Sequence, residues 1–209
     1  MTDTAPAIEN TSWRDQTYRE IAKTYAAEGK TDEAIAIIEK IETPDTKAMT
    51  IRGIGMAAAK LNLPAESRTA LWTTLRAQAE KITHPPSYAI ALTYIAMSQA
   101  FAGDNQAAWD TAADMENDAL RHKAYGETAE IQAENHDPEN AFISISKIDS
   151  ASYRDKSAET VSRLFSDAGD YNNAYKTAQM VTNPYKKTLA LQYMLAKQSE
   201  EETKEDPKP

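Results

Sequence analysis

Residues 12–44 read SWRDQTYREIAKTYAAEGKTDEAIAIIEKIETP, and residues 152–184 read SYRDKSAETVSRLFSDAGDYNNAYKTAQMVTNP. Laid over one another, Trp13 falls on Tyr153, Gly29 on Gly169, Ala34 on Ala174 and Ile41 on Val181. Stepping back from Tyr153 by 33 residues finds further copies of the same pattern. Their starts are 13, 46, 87, 120, 153 and 186, and every spacing is 33 except the second, which is 41. The second copy therefore carries eight extra residues, assigned to WTTLRAQAEKITHPP at 72–86.

Each copy reads as two helices. In the first, Tyr18, Ile21, Ala22 and Tyr25 recur at the spacing of one face of a 3.6-residue period, as do Ala158, Val161 and Phe165 in the fifth copy. Gly29, Gly103 and Gly169 stand where a left-handed cap would end that helix. The next residue is Asp104, Asp137 or Asp170 in three copies, a favoured N-cap for the second helix. That helix carries Ala34, Ile38 and Ile41, or Ala141, Ile145 and Ile148, and stops near ETP, THPP or TNP, where proline discourages continuation. Ser12 and Ser152, each followed three residues later by Asp15 or Asp155, read as caps of their first helices. Arg14 and Arg154 read as packing stems with solvated heads.

A helix pair of this length keeps one apolar face too many to stand alone, and stacked neighbours bury it. The expected fold is all-α: an αα-superhelix, or solenoid, of about five 33-residue helix-turn-helix repeats plus a terminal helix, KKTLALQYMLAKQ, giving eleven principal helices and no sheet. The expected organisation is a flexible N-terminus over 1–11, the repeat domain over 12–198 and a disordered charged tail over 199–209.

The unit resembles a tetratricopeptide repeat, most closely in the first copy, through Tyr18, Ile21, Ala22, Tyr25, Gly29, Ala34, Ile38 and Ile41. It departs from that pattern in its period, in Asn62 and His136 at turn-glycine positions, and in Ser67 at a small-alanine position. The resemblance implies that first helices line a concave face where ligand peptides lie. Carried over copy by copy, it nominates Arg19 and Lys23, then Met49, Arg52, Met56 and Lys60, then Met97 and Phe101 as partner-binding residues. The basic members suit a carboxylate and the methionines an adaptable apolar contact. The fourth copy places Lys123, Gly126, Glu130 and Glu134 there instead.

Charge sharpens this reading. Lys and Arg number 23 against 32 Asp and Glu, for a net charge of −9. Residues 1–86 hold 11 basic and 12 acidic side chains, and residues 87–209 hold 12 and 20. Such a balance opposes broad binding to nucleic acid or to an anionic membrane. No stretch has the length and apolarity of a membrane span. MTDTAPAIENTSW has neither a basic n-region nor an apolar h-region, so the expected location is cytoplasmic, or periplasmic if Met1 replaces a removed signal peptide.

Catalytic patterns are absent from the sequence. There is no cysteine, and His84, His122 and His136 share no ligand spacing. RGIGMAA at 52–58 lacks the lysine and hydroxyl residue of a phosphate loop and reads as close helix packing. The acidic clusters fall at helix ends or on solvated faces. The expectation is a non-catalytic scaffold, without cofactor or metal, that binds a protein or peptide through the first-helix face. The alternative is a self-associating assembly component that uses the repeat ends.

Overall fold

The computed structural model describes residues 4–205, which form a short 3₁₀ turn (Ala5–Ala7), eleven α-helices and no strand. The helices are α1 (Thr11–Ala27), α2 (Thr31–Ile38), α3 (Pro44–Ala59), α4 (Ala65–Glu80), α5 (Pro85–Phe101), α6 (Asn105–Ala113), α7 (Asp118–Glu134), α8 (Pro138–Ser146), α9 (Ala151–Asp167), α10 (Tyr171–Met180) and α11 (Pro184–Glu205). Odd-numbered helices are the first helices of the repeat and even-numbered ones the second. Pro44, Pro85 and Pro184 open α3, α5 and α11, where a missing N–H costs nothing. None of the described helices is long and apolar enough to cross a membrane.

Contacts gather into two compact units, Met1–Ala124 and Tyr125–Pro209. In the first unit α1 packs on α2 and α3, α3 on α4 and α5, and α5 on α6. First helices therefore form one row and α2 lies against α4 in a second layer. Its core includes Ile38, Ile51, Ile54, Leu75 and Ile95, all fully buried. In the second unit α9 packs on α8, α10 and α11. Ala129 and Ala133 of α7, Ile145 of α8, Val161 and Phe165 of α9, and Met194 of α11 share its core.

The eight extra residues lengthen α4, which has 16 residues against 8 to 10 in the other second helices. At 3.6 residues per turn that is about two added turns. Three turn glycines take the left-handed conformation, with φ of 79° at Gly29, 81° at Gly103 and 74° at Gly169, and His136 adopts it in their place with φ of 57°. Each is followed by a backbone bond that closes the helix, such as Lys30 N–H to Tyr25 C=O at 2.9 Å and Asp137 N–H to Gln132 C=O at 2.8 Å.

Several sequence expectations change. Ser12 and Ser152 lie inside their helices, not at the caps. Asn10 caps α1, its side chain accepting from Trp13 N–H at 3.1 Å, and Ser150 stands at the N-cap of α9 without a side-chain bond. Asp15 and Asp155 are freed for another task, described next. Asp137 and Asp170 cap α8 and α10 as expected, but the Asp104 side chain turns away to α4. The Arg154 head is not left to solvent: it donates to Ile148 C=O at 3.2 Å, as Arg121 does to Met115 C=O at 3.1 Å in the preceding copy. Arg14 pairs with Glu42 at 2.6 Å. Ala5 is fully buried and the 3₁₀ turn packs on α1, so residues 4–10 are not a loose lead-in. Helix α11 runs on to Glu205, through much of the stretch expected to be disordered; residues 1–3 and 206–209 lie outside the described residues.

Asp15 is buried and accepts the Thr43 and Glu42 backbone N–H groups at 2.8 and 3.2 Å. Asp155 does the same in the second unit, accepting from the N–H groups of Thr182 at 2.7 Å and Asn183 at 2.8 Å. Each carboxylate thus reaches 27 and 28 residues ahead to satisfy the donors that open the next first helix. Burial pushes the Asp155 carboxyl up, but the Thr182 and Asn183 N–H groups, the Thr182 hydroxyl and the Lys186 charge outweigh it, leaving it below the ordinary value of 3.8.

A depressed carboxyl stabilises the fold fully above its unfolded value and loses that contribution as pH falls through the folded one. Asp155→Asn should therefore lower stability at neutral pH by about 2 kcal/mol, the scale of hydrogen bonds to a charged acceptor. The difference from wild type, followed by urea denaturation, should shrink as pH drops below 3.8. At the C-terminus, burial and the adjoining Glu201 carboxylate push the Tyr171 phenol up to about 12. Glu201→Gln should bring it part of the way back towards 10.0, as read by NMR of ring-labelled tyrosine.

Candidate functional site

Helices α1, α3 and α5 present the nominated residues from equivalent register positions. The Lys23 stem crosses α3 at Gly53, where a Cβ would lie only 2.5 Å from Lys23 Cγ, so glycine is what lets that side chain lie flat. The Arg52 guanidinium lies 5.4 Å from the centre of the Tyr94 ring on α5. These two contacts link α1 to α3 and α3 to α5 on one surface. The sequence reading did not include Tyr94, and Thr93, which stands at the register of Arg52 in the third copy, is buried. An aromatic one position away from the chosen register was the available signal.

The nominated set is not uniform. Arg19 and Lys23 both bind Glu20, at 3.0 and 2.8 Å, and the Lys23 hydrogen bond is the chief reason that the Glu20 carboxyl lies below its ordinary value. Much of their charge is thus neutralised locally. Arg52 and Lys60 are exposed and have no carboxylate partner among the described residues. Met49 is 37% exposed, whereas Met56, Met97 and Phe101 are half-buried. The surface free for contact therefore centres on α3, through Met49, Arg52 and Lys60. In the fourth copy, burial raises the Glu130 carboxyl above its ordinary value, helped by Glu127 and Glu134.

A second concavity lies between α4 and α6, with a volume of about 510 Å³. Thr69, Trp72, Thr73 and Arg76 line one wall, Gln106, Ala107 and Asp110 the other, and Ile95 and Gln99 of α5 the floor. Two Arg–Asp pairs tie its walls. Arg68 grips Asp104 with two bonds of 3.0 and 2.9 Å, and Arg76 meets Asp114 at 2.8 Å. The Trp72 indole N–H also donates to Asp104 at 2.7 Å. Burial alone would raise the Asp104 carboxyl; Arg68 and Trp72 bring it below its ordinary value. The sequence reading saw Asp104 only as a cap, because no local pattern shows a partner 36 residues back.

A third concavity, about 440 Å³, follows the outer side of α1 and is lined by Thr4, Trp13, Gln16, Thr17, Glu20, Ile21, Thr24 and Tyr25. The histidines do not converge: His84 precedes α5 with Nδ1 2.6 Å from Ser87 Oγ, His122 is buried on α7, and His136 makes the α7–α8 turn. Among the described residues no group of three His, Asp or Glu side chains is placed to hold a metal ion.

No protein-family model matches the chain, and no curated protein matches it. Among solved structures, the crystal structure of Ton1535 from Thermococcus onnurineus NA1 is similar over 88% of this chain and 56% of that one, at 20% identity and a TM-score of 0.48. The chain thus spans a little over half of that protein's length.

The Asp104 node offers a direct test of how the α4–α6 cleft is held. Asp104→Ala leaves the Trp72 N–H and the Arg68 guanidinium without their acceptor. It should cost about 2 kcal/mol in chemical denaturation, and it should shift the tryptophan emission of the folded protein.

Proposed function

We propose that the chain is a non-catalytic binding scaffold of the solenoid type, resembling tetratricopeptide repeats, and that its first-helix face receives a peptide or a segment of a partner protein. The observation that carries this reading is the pair of exposed cations on α3 and at its C-cap, Arg52 and Lys60, which no carboxylate of the described residues neutralises in a chain of net charge −9. Beside them Met49 is exposed and Met56 half-buried, apolar and adaptable. Tyr94 holds the Arg52 guanidinium in place from its other side.

A partner suited to this face carries a carboxylate flanked by an apolar side chain. Arg52 and Lys60 supply the charge-assisted bonds and the methionines the apolar seat. Arg19 and Lys23 contribute less, since Glu20 already holds both. The cationic surface is confined to the first copies because the fourth crowds Glu127, Glu130 and Glu134 together.

Affinity capture on the immobilised protein followed by mass spectrometry would identify the ligand. With that ligand, Arg52→Glu should weaken binding by about 1–3 kcal/mol, while the melting temperature falls only slightly through loss of the contact with the Tyr94 ring. Added salt should weaken wild-type binding in step with screening. Wild-type affinity in both Arg52→Glu and Lys60→Glu would place the interaction elsewhere.

A further inference from the structure

The cleft between α4 and α6 has a polar group on its floor that the repeat does not require. Gln99 stands at the position of Tyr25, Ala58 and Phe165 in the first, second and fifth copies. It is 4% exposed and lines the cleft. Its Oε1 accepts from the Thr111 hydroxyl at 2.9 Å, a pairing that recurs between Gln132 and Ser144 at 2.6 Å in the fourth copy. That bond fixes the amide and leaves its Nε2 group directed at the cleft, with no acceptor among the described residues. A donor withdrawn from bulk water in this way is costly until an acceptor meets it. The cleft around it is braced at its two ends by Arg68 with Asp104 and Arg76 with Asp114. Between these pins the walls stay apart. Thr69 and Thr73 spend their hydroxyl protons on the C=O groups of Ala65 and Thr69, so only their oxygens remain to accept. Asp110, exposed on the α6 wall, has the Gln106 amide at 2.7 Å as its side-chain partner and no cation among the described residues.

We propose that this cleft binds a small aromatic cation that also carries an oxygen acceptor, a hydroxyaryl amine. The oxygen accepts the Gln99 N–H at the floor, the ring lies along Trp72 and Ala107, and the ammonium group meets Asp110 at the mouth. Charge complementarity selects this class. An anion would find both guanidinium groups already held by carboxylates and would face Asp110. A polyamine, protonated throughout, brings no acceptor to Gln99. A neutral apolar molecule answers neither group. The volume of about 510 Å³ lies within the roughly 300–1,000 Å³ of small-molecule sites. Asp104 holds the Trp72 indole N–H at 2.7 Å, so the aromatic wall is fixed before a ligand arrives. This site is built by the second helices and the floor of α5, whereas Arg52 and Lys60 belong to α3 and its C-cap, and the two proposals stand or fall separately.

Titration of the full chain with tyramine, followed by NMR of the indole and side-chain amide groups, tests the proposal. Tyramine should move the Trp72 indole and Gln99 amide signals saturably. 2-Phenylethylamine, which lacks only the oxygen, should bind about tenfold more weakly, and 4-methylphenol, which lacks the ammonium group, about fivefold more weakly. Asp110→Asn, at an exposed position, should bind tyramine no better than 4-methylphenol while still preferring it to 2-phenylethylamine. Gln99→Leu, which places an apolar side chain where three other copies have one, should bind the two amines alike. The circular dichroism of both variants should match wild type; should Gln99→Leu not fold, the wild-type comparison of the two amines decides the same point. A wild type without saturable shifts at Trp72 and Gln99 overturns the proposal. Equal affinity of wild type for tyramine and 2-phenylethylamine also overturns it, since water alone would then satisfy the Gln99 amide. So does an unchanged tyramine affinity in Asp110→Asn.

Discussion

Close approach of helices at one register position governs the packing. That position holds Ala22, Gly55, Ala96, Ala129 and Ser162 in five successive copies. All five are buried, and a Cβ on Gly55 would collide with the Ser98 side chain. Ser162 shows what the contact achieves: its hydroxyl donates to Ala174 C=O at 2.9 Å, across the pair from the first helix to the second. Small side chains let the backbones come near enough for the larger ones around them, such as Ile38 and Phe165, to interlock without voids. The sixth copy has Leu195 there, 56% exposed on α11.

Local chemistry made the helices readable. Period, glycine turns and prolines at helix starts each depend on a few neighbouring residues, so eleven helices and the added length in the second copy were all visible in the sequence. What escaped depends on distance along the chain. Ser12 with Asp15 has the spacing of a capping pair, but Asn10 takes the cap and Asp15 goes to Thr43. Asp104 likewise follows its turn glycine as a cap should, and is then claimed by Arg68 and Trp72. In both cases a long-range donor offered a charged acceptor more than a local one did. Composition misled at the C-terminus: EEETKE has nothing apolar to bury, yet α11 continues through it.

The register shared by the nominated residues is legible in the sequence, and their charge environment is not. Helical spacing put Arg19, Lys23, Arg52, Met56 and Lys60 in equivalent positions, and the contacts of Lys23 with Gly53 and Arg52 with Tyr94 agree with that register. Only coordinates show that Glu20 engages two of the cations at once. Only they show that Met97 and Phe101 are partly withdrawn from the surface. Counting charges along the sequence overstates what a partner would meet.

Helix α4 has a mechanical consequence. Its added turns bring Lys81 to Glu39 beyond the end of α2, at 2.8 Å, and Arg76 to Asp114 beyond the end of α6, at 2.8 Å, while Arg68 holds the near end at Asp104. It acts as a crossbeam pinned to both neighbours. The pins are ion pairs at or near the surface, whereas the row of first helices is joined by apolar packing. Salt weakens the former and leaves the latter largely untouched. The two ends of α4 are therefore held in a salt-dependent way, whereas its middle is fixed by the buried Leu71, Trp72 and Leu75.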